Sequence, residues 1–266
     1  MRAFNEQYIR GMVYVTASNI WAKHAFTTKL GGVSSGIFSS LNLGLNLGDE
    51  PDKVSENYRL LGNVLKIGVD DYVRSKQVHG AAIRVATSAD RGALFEAAEY
   101  EADGMITCDR GVALIVYAAD CVPILLHDPM IGAVGAVHAG WRGTAVNIAG
   151  AAVVKMSQTF GCQPSSIKAA IGPSIGVCCY EVGQEVIDML KGTIGDSADA
   201  CITSRGGNHS EKYMLDLKEA NRIMLLEAGL QDISISDECT SCSGTKYWSH
   251  RATNGMRGSQ CAVICL

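Results

Sequence analysis

Four short apolar runs crowd the middle of the chain, at residues 104–107, 113–117, 122–126 and 132–137. Each is rich in β-formers and too short for a helix. Such runs read as strands of a sheet whose faces must be covered. Patterns spaced by three and four lie on both sides of them, at 49–65 (Val54, Tyr58, Leu61, Leu65), 143–159, 182–190 and 215–228. Further strands are expected at 72–78, 82–86, 167–171, 233–236 and 262–265. Strands mixed with helices specify an α/β fold, a single layered domain over residues 1–266 with a mixed sheet and flanking helices. The stretch 28–48, rich in Gly, Ser and Asn, reads as an extended loop.

Composition narrows the function. With 47 % hydrophobic and 19 % charged residues, the chain builds a core and excludes long disorder. Its net charge of −4 provides no basic field for nucleic acid or an anionic membrane surface. No run reaches the ~18 apolar residues of a membrane helix, and the nearest, 111–126, contains Asp120. The N-terminus lacks a signal-peptide pattern, so a soluble, cytoplasmic protein is expected. Its ten cysteines are then expected to be reduced. Cys239 and Cys242 form a lone CxxC and read as incidental thiols. The adjacency of Cys178 and Cys179 argues against both binding one ion.

Three segments carry potential metal ligands beside small residues: Gln77-Val78-His79-Gly80, Ala118-Ala119-Asp120-Cys121-Val122-Pro123 and Val137-His138-Ala139-Gly140-Trp141-Arg142. A turn centred on Pro129-Met130 folds the second back onto the third. That register pairs Leu126 with Ala133 and sets Cys121 opposite His138. Opposed residues have Cβ atoms about 4.5–5.5 Å apart, close enough to share an ion. His79 supplies a third ligand. Two imidazoles and a thiolate suit zinc with an open fourth position, the mark of a catalytic site. Such a metal lowers the pKa of its water to ~7.

Other chemistries fail on the text. His209-Ser210-Glu211 is not followed by Pro-Cys-x-x-Cys, which excludes that deaminase pattern. There is no HExxH, Walker loop or Gly-x-Gly.

At these segments the chain resembles the YfiH family, also called the multicopper polyphenol oxidoreductase or laccase-domain family. The matching motifs run from His24-Ala25-Phe26-Thr27-Thr28-Lys29-Leu30-Gly31-Gly32 through Gln77-Val78-His79-Gly80, Ala102-Asp103-Gly104, Asp120-Cys121-Val122-Pro123 and His138-Ala139-Gly140-Trp141-Arg142-Gly143-Thr144. They continue through Ile171-Gly172-Pro173-Ser174-Ile175-Gly176 and Cys179-Tyr180-Glu181-Val182 to Ser249-His250-Arg251. Where the family usually has a second arginine, Ala252 stands here. The resemblance implies a fold classed with cysteine hydrolases and zinc on His79, Cys121 and His138. It implies a purine nucleoside phosphorylase acting on adenosine, inosine and methylthioadenosine, with adenosine deaminase activity in the same site. Copper-dependent phenol oxidation and amide hydrolysis in peptidoglycan-precursor editing are the other activities it implies.

Roles follow for the neighbouring residues. Phosphate needs a cationic cradle, for which Arg142, Arg59, Lys29 and Arg251 are candidates. A surface salt bridge is the alternative for each. Asp120 is placed to orient a ligand imidazole, to act as base, or to cap a strand end. Cys121 with His138 as base would serve an amide hydrolase. Copper outcompetes zinc at most N/S sites, but six histidines with no HxH pair are too few for a multicopper oxidase.

Overall fold

Short apolar strands build two sheets that pack on a shared core. The computed structural model describes residues 3–204 and 212–266; His209-Ser210-Glu211 lies outside them. One six-stranded sheet runs Phe4–Ile9, Met12–Ala17, Lys23–Thr27, Gln260–Cys265, Ala113–Ala118, Tyr72–Val73. The other runs Asp232–Ile235, Lys168–Ile171, Val122–Asp128, Ala133–Ala139, Gly104–Thr107, Ile83–Val85. A three-stranded sheet of Glu181–Gly183, Lys212–Leu215 and Ile202–Ser204 stands apart. Parallel and antiparallel pairs occur in both large sheets.

The apolar runs are uninterrupted because both faces of each strand are covered. In the first sheet Leu114, Val116, Ala262 and Ile264 point into the core between the sheets. Ala113, Ile115, Cys261 and Val263 point outward beneath helix Pro51–Leu65. In the second sheet Leu125, Val134, Ala136 and Ala170 meet the first sheet. Val122, Ile124, Leu126 and Val137 face helices Ile148–Phe160, Gln184–Ile194 and Leu217–Glu227. The order of layers is therefore helix, sheet, sheet, helices.

The mixed α/β architecture is as the sequence indicates, and three local readings are corrected. The helix expected at 143–159 is two, Trp141–Ala145 and Ile148–Phe160. Asn147 separates them in a left-handed conformation (φ 57°), and its side-chain oxygen accepts from Gly150 N at 2.9 Å. An asparagine tolerates that conformation and caps the second helix. The helix expected from 182 begins at Gln184, after a short strand. The one expected from 215 begins at Leu217, where the Asp216 carboxylate accepts from Glu219 N at 3.0 Å. The first three strands, Phe4–Ile9, Met12–Ala17 and Lys23–Thr27, escaped the sequence reading. Phe4–Ile9 is an edge strand with a mostly exposed pattern, so it carries no apolar alternation. Its turn is legible in retrospect: Arg10 and Gly11 both have positive φ (52° and 83°), as a two-residue hairpin requires.

Candidate metal centre and cleft

The hairpin that sets the site has a different register from the one expected. Asp128 pairs with Ala133 and Pro123 with His138, so the loop spans the four residues 129–132. The Asp128 carboxylate accepts from Met130 N at 2.9 Å and Ile131 N at 3.2 Å, and Gly132 turns the chain with φ 73°. The shift is two residues, so the faces are kept. Cys121 is thus not opposite His138. It sits just before its strand, two positions beyond Pro123, next to Asp120 with φ 86°.

The structure still brings His79, Cys121 and His138 together. One donor atom from each lies within 4.8 Å of the others. Cys121 Sγ is 3.9 Å from His79 Nε2, and the two imidazoles meet edge to face at 4.9 Å. Zinc bonds of about 2.0–2.1 Å to nitrogen and 2.3 Å to sulfur at tetrahedral angles put donors roughly 3.3–3.6 Å apart, a small closing movement from the spacing here. The donor set and its spacing fit that ion. Burial is graded: His138 is buried, Cys121 half-buried and His79 exposed, so the trio opens to solvent on one side. A Cβ on Gly140 would lie 2.8 Å from His79 Cδ2 and 3.1 Å from Cys121 Sγ, so only glycine leaves the trio its space.

Asp103, buried and not singled out as a site residue from the sequence, organises the trio. Its carboxylate accepts from three successive backbone amides, Val78 N (3.0 Å), His79 N (2.9 Å) and Gly80 N (2.8 Å). His79 has φ 61°, which aims those amides at one anion. The same carboxylate is 2.8 Å from His138 Nδ1. One aspartate thus fixes both the His79 turn and the orientation of the His138 ring, leaving its Nε2 for the trio. Burial raises the Asp103 pKa, but the hydrogen bonds from His138, Gly80 and Val78 outweigh it and hold the group low. Burial likewise opposes the charged forms of Cys121 and His138. The two imidazoles still pull the Cys121 thiol down to about 6, and Asp103 with Cys121 lifts His138 to about 9. The only sequence signal for Asp103 was its place in the Ala102-Asp103-Gly104 motif.

Asp120 touches neither imidazole. Its carboxylate accepts from Thr240 Oγ1 (2.6 Å), Ser249 Oγ (3.0 Å) and Arg251 N (2.6 Å). It anchors two late segments behind Cys121.

Two clefts meet at the trio. One, of about 340 Å³, is walled by Trp141, Ile175, Tyr180 and Leu217 with Arg142, His250, Arg251 and Arg257 at its polar edges. The other, about 290 Å³, is bounded by the 44–47 loop, Gln77, Tyr117 and Arg257. His79, Cys121 and Arg257 border both. The Arg142 guanidinium lies 4.4 Å over the Trp141 ring and that of Arg251 lies 5.3 Å over Tyr180. Arg251 also donates to the carbonyls of Cys179 and Glu181 at 3.1 Å.

Arg59 and Lys29 do not reach these clefts. Arg59 is exposed on its helix and pairs with Glu56 three residues earlier. The Lys29 amine donates to Gly244 O and lies 5.3 Å over the Trp248 ring. Arg257, which the sequence reading missed, takes their place. Its Nε is buried with no hydrogen-bond partner, while Nη1 donates to Gly258 O at 2.9 Å. It brings to the cleft a guanidinium that Ala252 lacks.

A family model described as Multi-copper polyphenol oxidoreductase laccase matches residues 23–266. The chain belongs to this family. Within it, the chain is 44 % identical over 245 residues to a purine nucleoside phosphorylase YlmD of Geobacillus stearothermophilus, covering 90 % of this chain and 88 % of that one. It is 35 % identical to a protein named adenosine deaminase RL5 from an unknown prokaryotic organism, covering 88 % and 90 %. The crystal structure of YlmD from Geobacillus stearothermophilus superposes with a TM-score of 0.93 at 40 % identity, over 100 % of this chain and 99 % of that one. That of a Bacillus licheniformis protein YfiH gives 0.91 at 35 % identity, over 97 % of each. The laccase-family fold therefore holds for the whole described chain, and the relatives support an enzyme of this family.

Proposed function

We propose that this protein is a zinc-dependent purine nucleoside phosphorylase acting on adenosine, inosine and methylthioadenosine, with adenosine deaminase activity in the same site. The observation that carries the reading is the His79/Cys121/His138 trio opening into a cleft with aromatic walls and three arginines. The names of the relatives lend it support.

His79, Cys121 and His138 hold the zinc, with Asp103 keeping His138 in the ligating tautomer. Bound there, zinc supplies Lewis acidity that brings the pKa of water down to ~7. The flat apolar walls given by Trp141 and Tyr180 take the purine. Arg142, Arg251 and Arg257 supply the fork-shaped donors that hold a phosphate dianion. In phosphorolysis a phosphate oxygen bonds to the ribosyl C1′ while the bond to the purine nitrogen breaks. The electron pair leaves with the purine, giving free base and ribose 1-phosphate. In deamination water adds at C6 of adenine and ammonia leaves, giving inosine. Copper-dependent phenol oxidation is disfavoured by ligand count. The two candidate metal clusters among the described residues contain two histidines between them, too few for paired blue and three-copper sites.

The two reactions use different nucleophiles, so phosphate separates them. Metal-replete protein given adenosine without phosphate should form inosine but neither free base nor ribose phosphate. Adding phosphate should restore both. Loss of all products together on phosphate removal would defeat the scheme.

A further inference from the structure

Beyond the cleft, four thiols converge from two segments far apart in sequence. Cys178 and Cys179 follow the turn after Gly176, and Cys239 and Cys242 lie on a late loop. Their sulfurs all lie within 4.8 Å of one another, with Cys242 Sγ 3.4 Å from Cys178 Sγ and 3.3 Å from Cys179 Sγ. All four are free of disulfides, and the adjacent Cys178 and Cys179, expected not to share an ion, both bring their sulfurs into the group. Zn–S bonds of about 2.3 Å in a tetrahedron put sulfurs roughly 3.8 Å apart, within the spread seen here.

Two features of the surroundings bear on the cluster. Cys239 Sγ accepts from the Gly176 amide at 3.2 Å, the hydrogen bonding that supports a metal-bound sulfur. The nearby Lys218 amine is buried, and it donates to the uncharged carbonyls of Ser236 (2.7 Å) and Glu238 (3.2 Å). Burial disfavours its charge, and Asp216 is the foremost charge supporting it, with Cys239, Asp237 and Cys178 adding to that support. Four thiolates around one divalent ion carry a net −2, which adds to the carboxylates' charge acting on the ammonium.

We propose that Cys178, Cys179, Cys239 and Cys242 form a structural tetrathiolate zinc site that clamps the wall of the cleft. Four protein ligands leave no place for water, so the site is closed to chemistry. Its segments carry the cleft. Ile175 and Tyr180 flank the first cysteine pair and line it. Thr240, between the second pair, donates to Asp120 behind Cys121 and its amide donates to Ser174 O at 3.0 Å. Arg251 reaches the Cys179 carbonyl. Loading replaces the four thiol protons with one zinc ion taken from solution, so it releases up to four protons.

The test is metal counting on the full chain purified without added metal, by native mass spectrometry and elemental analysis. Wild type should carry two zinc ions, and Cys239→Ser/Cys242→Ser one. Cys121→Ala should also carry one, with a zinc-edge absorption spectrum showing four sulfur neighbours at about 2.3 Å and no nitrogen. Because that spectrum is read on a chain whose four cysteines are intact, it stands even if the double variant fails to fold. A wild type with one zinc, all-sulfur and unmoved by Cys121→Ala, would sink the catalytic zinc and keep this one. The proposal is overturned if zinc content is unchanged in Cys239→Ser/Cys242→Ser, if Cys121→Ala shows no tetrasulfur zinc, or if the unreduced chain weighs two hydrogens less through a disulfide within the tetrad.

Discussion

The two thiol-bearing clusters differ in composition, support and exposure. The trio mixes two imidazoles with one thiol and borders both clefts. It stands at the end of a buried hairpin, and an aspartate behind it sets two of its three members. The tetrad has sulfur only, hangs on two irregular segments and takes a hydrogen bond from the Gly176 backbone amide. A mixed set with an open side suits substrate chemistry, and a saturated sulfur set suits stability. A sheet end offers rigidity for the first. Loops gain most from a staple, as the second provides.

The largest expected effect comes from removing the trio's sulfur. Cys121→Ala should take activity to background and release one zinc equivalent, since two imidazoles remain on the ion. Cys121→Asp, which restores an anionic donor, should regain part of both. If Cys121 is instead the nucleophile of an amide hydrolase, metal stays, both variants are dead, and quenching wild type in mid-turnover gives a mass adduct on Cys121. That adduct would break the comparison by making the trio a thiol–imidazole dyad.

The same contrast explains what was legible in the sequence. Uninterrupted apolar runs make the central strands legible, because each is buried on both faces, as in Val122–Asp128. His79, Cys121 and His138 could be read because two of them flank one hairpin. The two-residue register error did not matter, since the side-chain period is also two. Asp103 was hidden because its role lies in holding three amides of a turn 23–25 residues away. The tetrad was hidden more deeply. Its halves stand 64 residues apart at Cys178 and Cys242, on segments with no periodic pattern to phase them. Arg257 was missed because its value is geometric: a guanidinium with a buried, unpartnered Nε on the border of both clefts.

A smaller effect should come from the residue behind the trio. Asp103→Asn keeps shape but removes the charge that faces the 78–80 amides and the His138 imidazole. Zinc affinity or activity should fall about 10–100-fold, the usual cost of losing a carboxylate behind a ligating histidine. Titration of the zinc off the protein with a chelator separates this from general destabilisation. The trio's ion should leave first, and the tetrasulfur zinc signal should remain. Equal weakening of both ions would mean that Asp103 acts through the fold and not through His138.

Effects confined to one substrate's KM, with metal content untouched, separate the arginines. Arg257 borders both clefts and Arg59 borders neither, so their substitution tests the cleft with no change to any metal ligand. Arg257→Gln keeps length and hydrogen-bonding capacity but loses the fork and the charge. A charge-assisted hydrogen bond of about 1.5–3 kcal/mol corresponds to roughly 10–100-fold, which should appear as a raised KM for phosphate. The KM for adenosine in deamination should move much less, because no phosphate is bound there. Arg59→Ala should leave both values unchanged, since among the described residues that guanidinium pairs with Glu56 on an exposed helix face. Were Arg59→Ala to raise the phosphate KM, the anion site would lie outside both clefts. If Arg257→Gln raised the two KM values equally, Arg257 would be a wall of the nucleoside site and not part of the phosphate cradle.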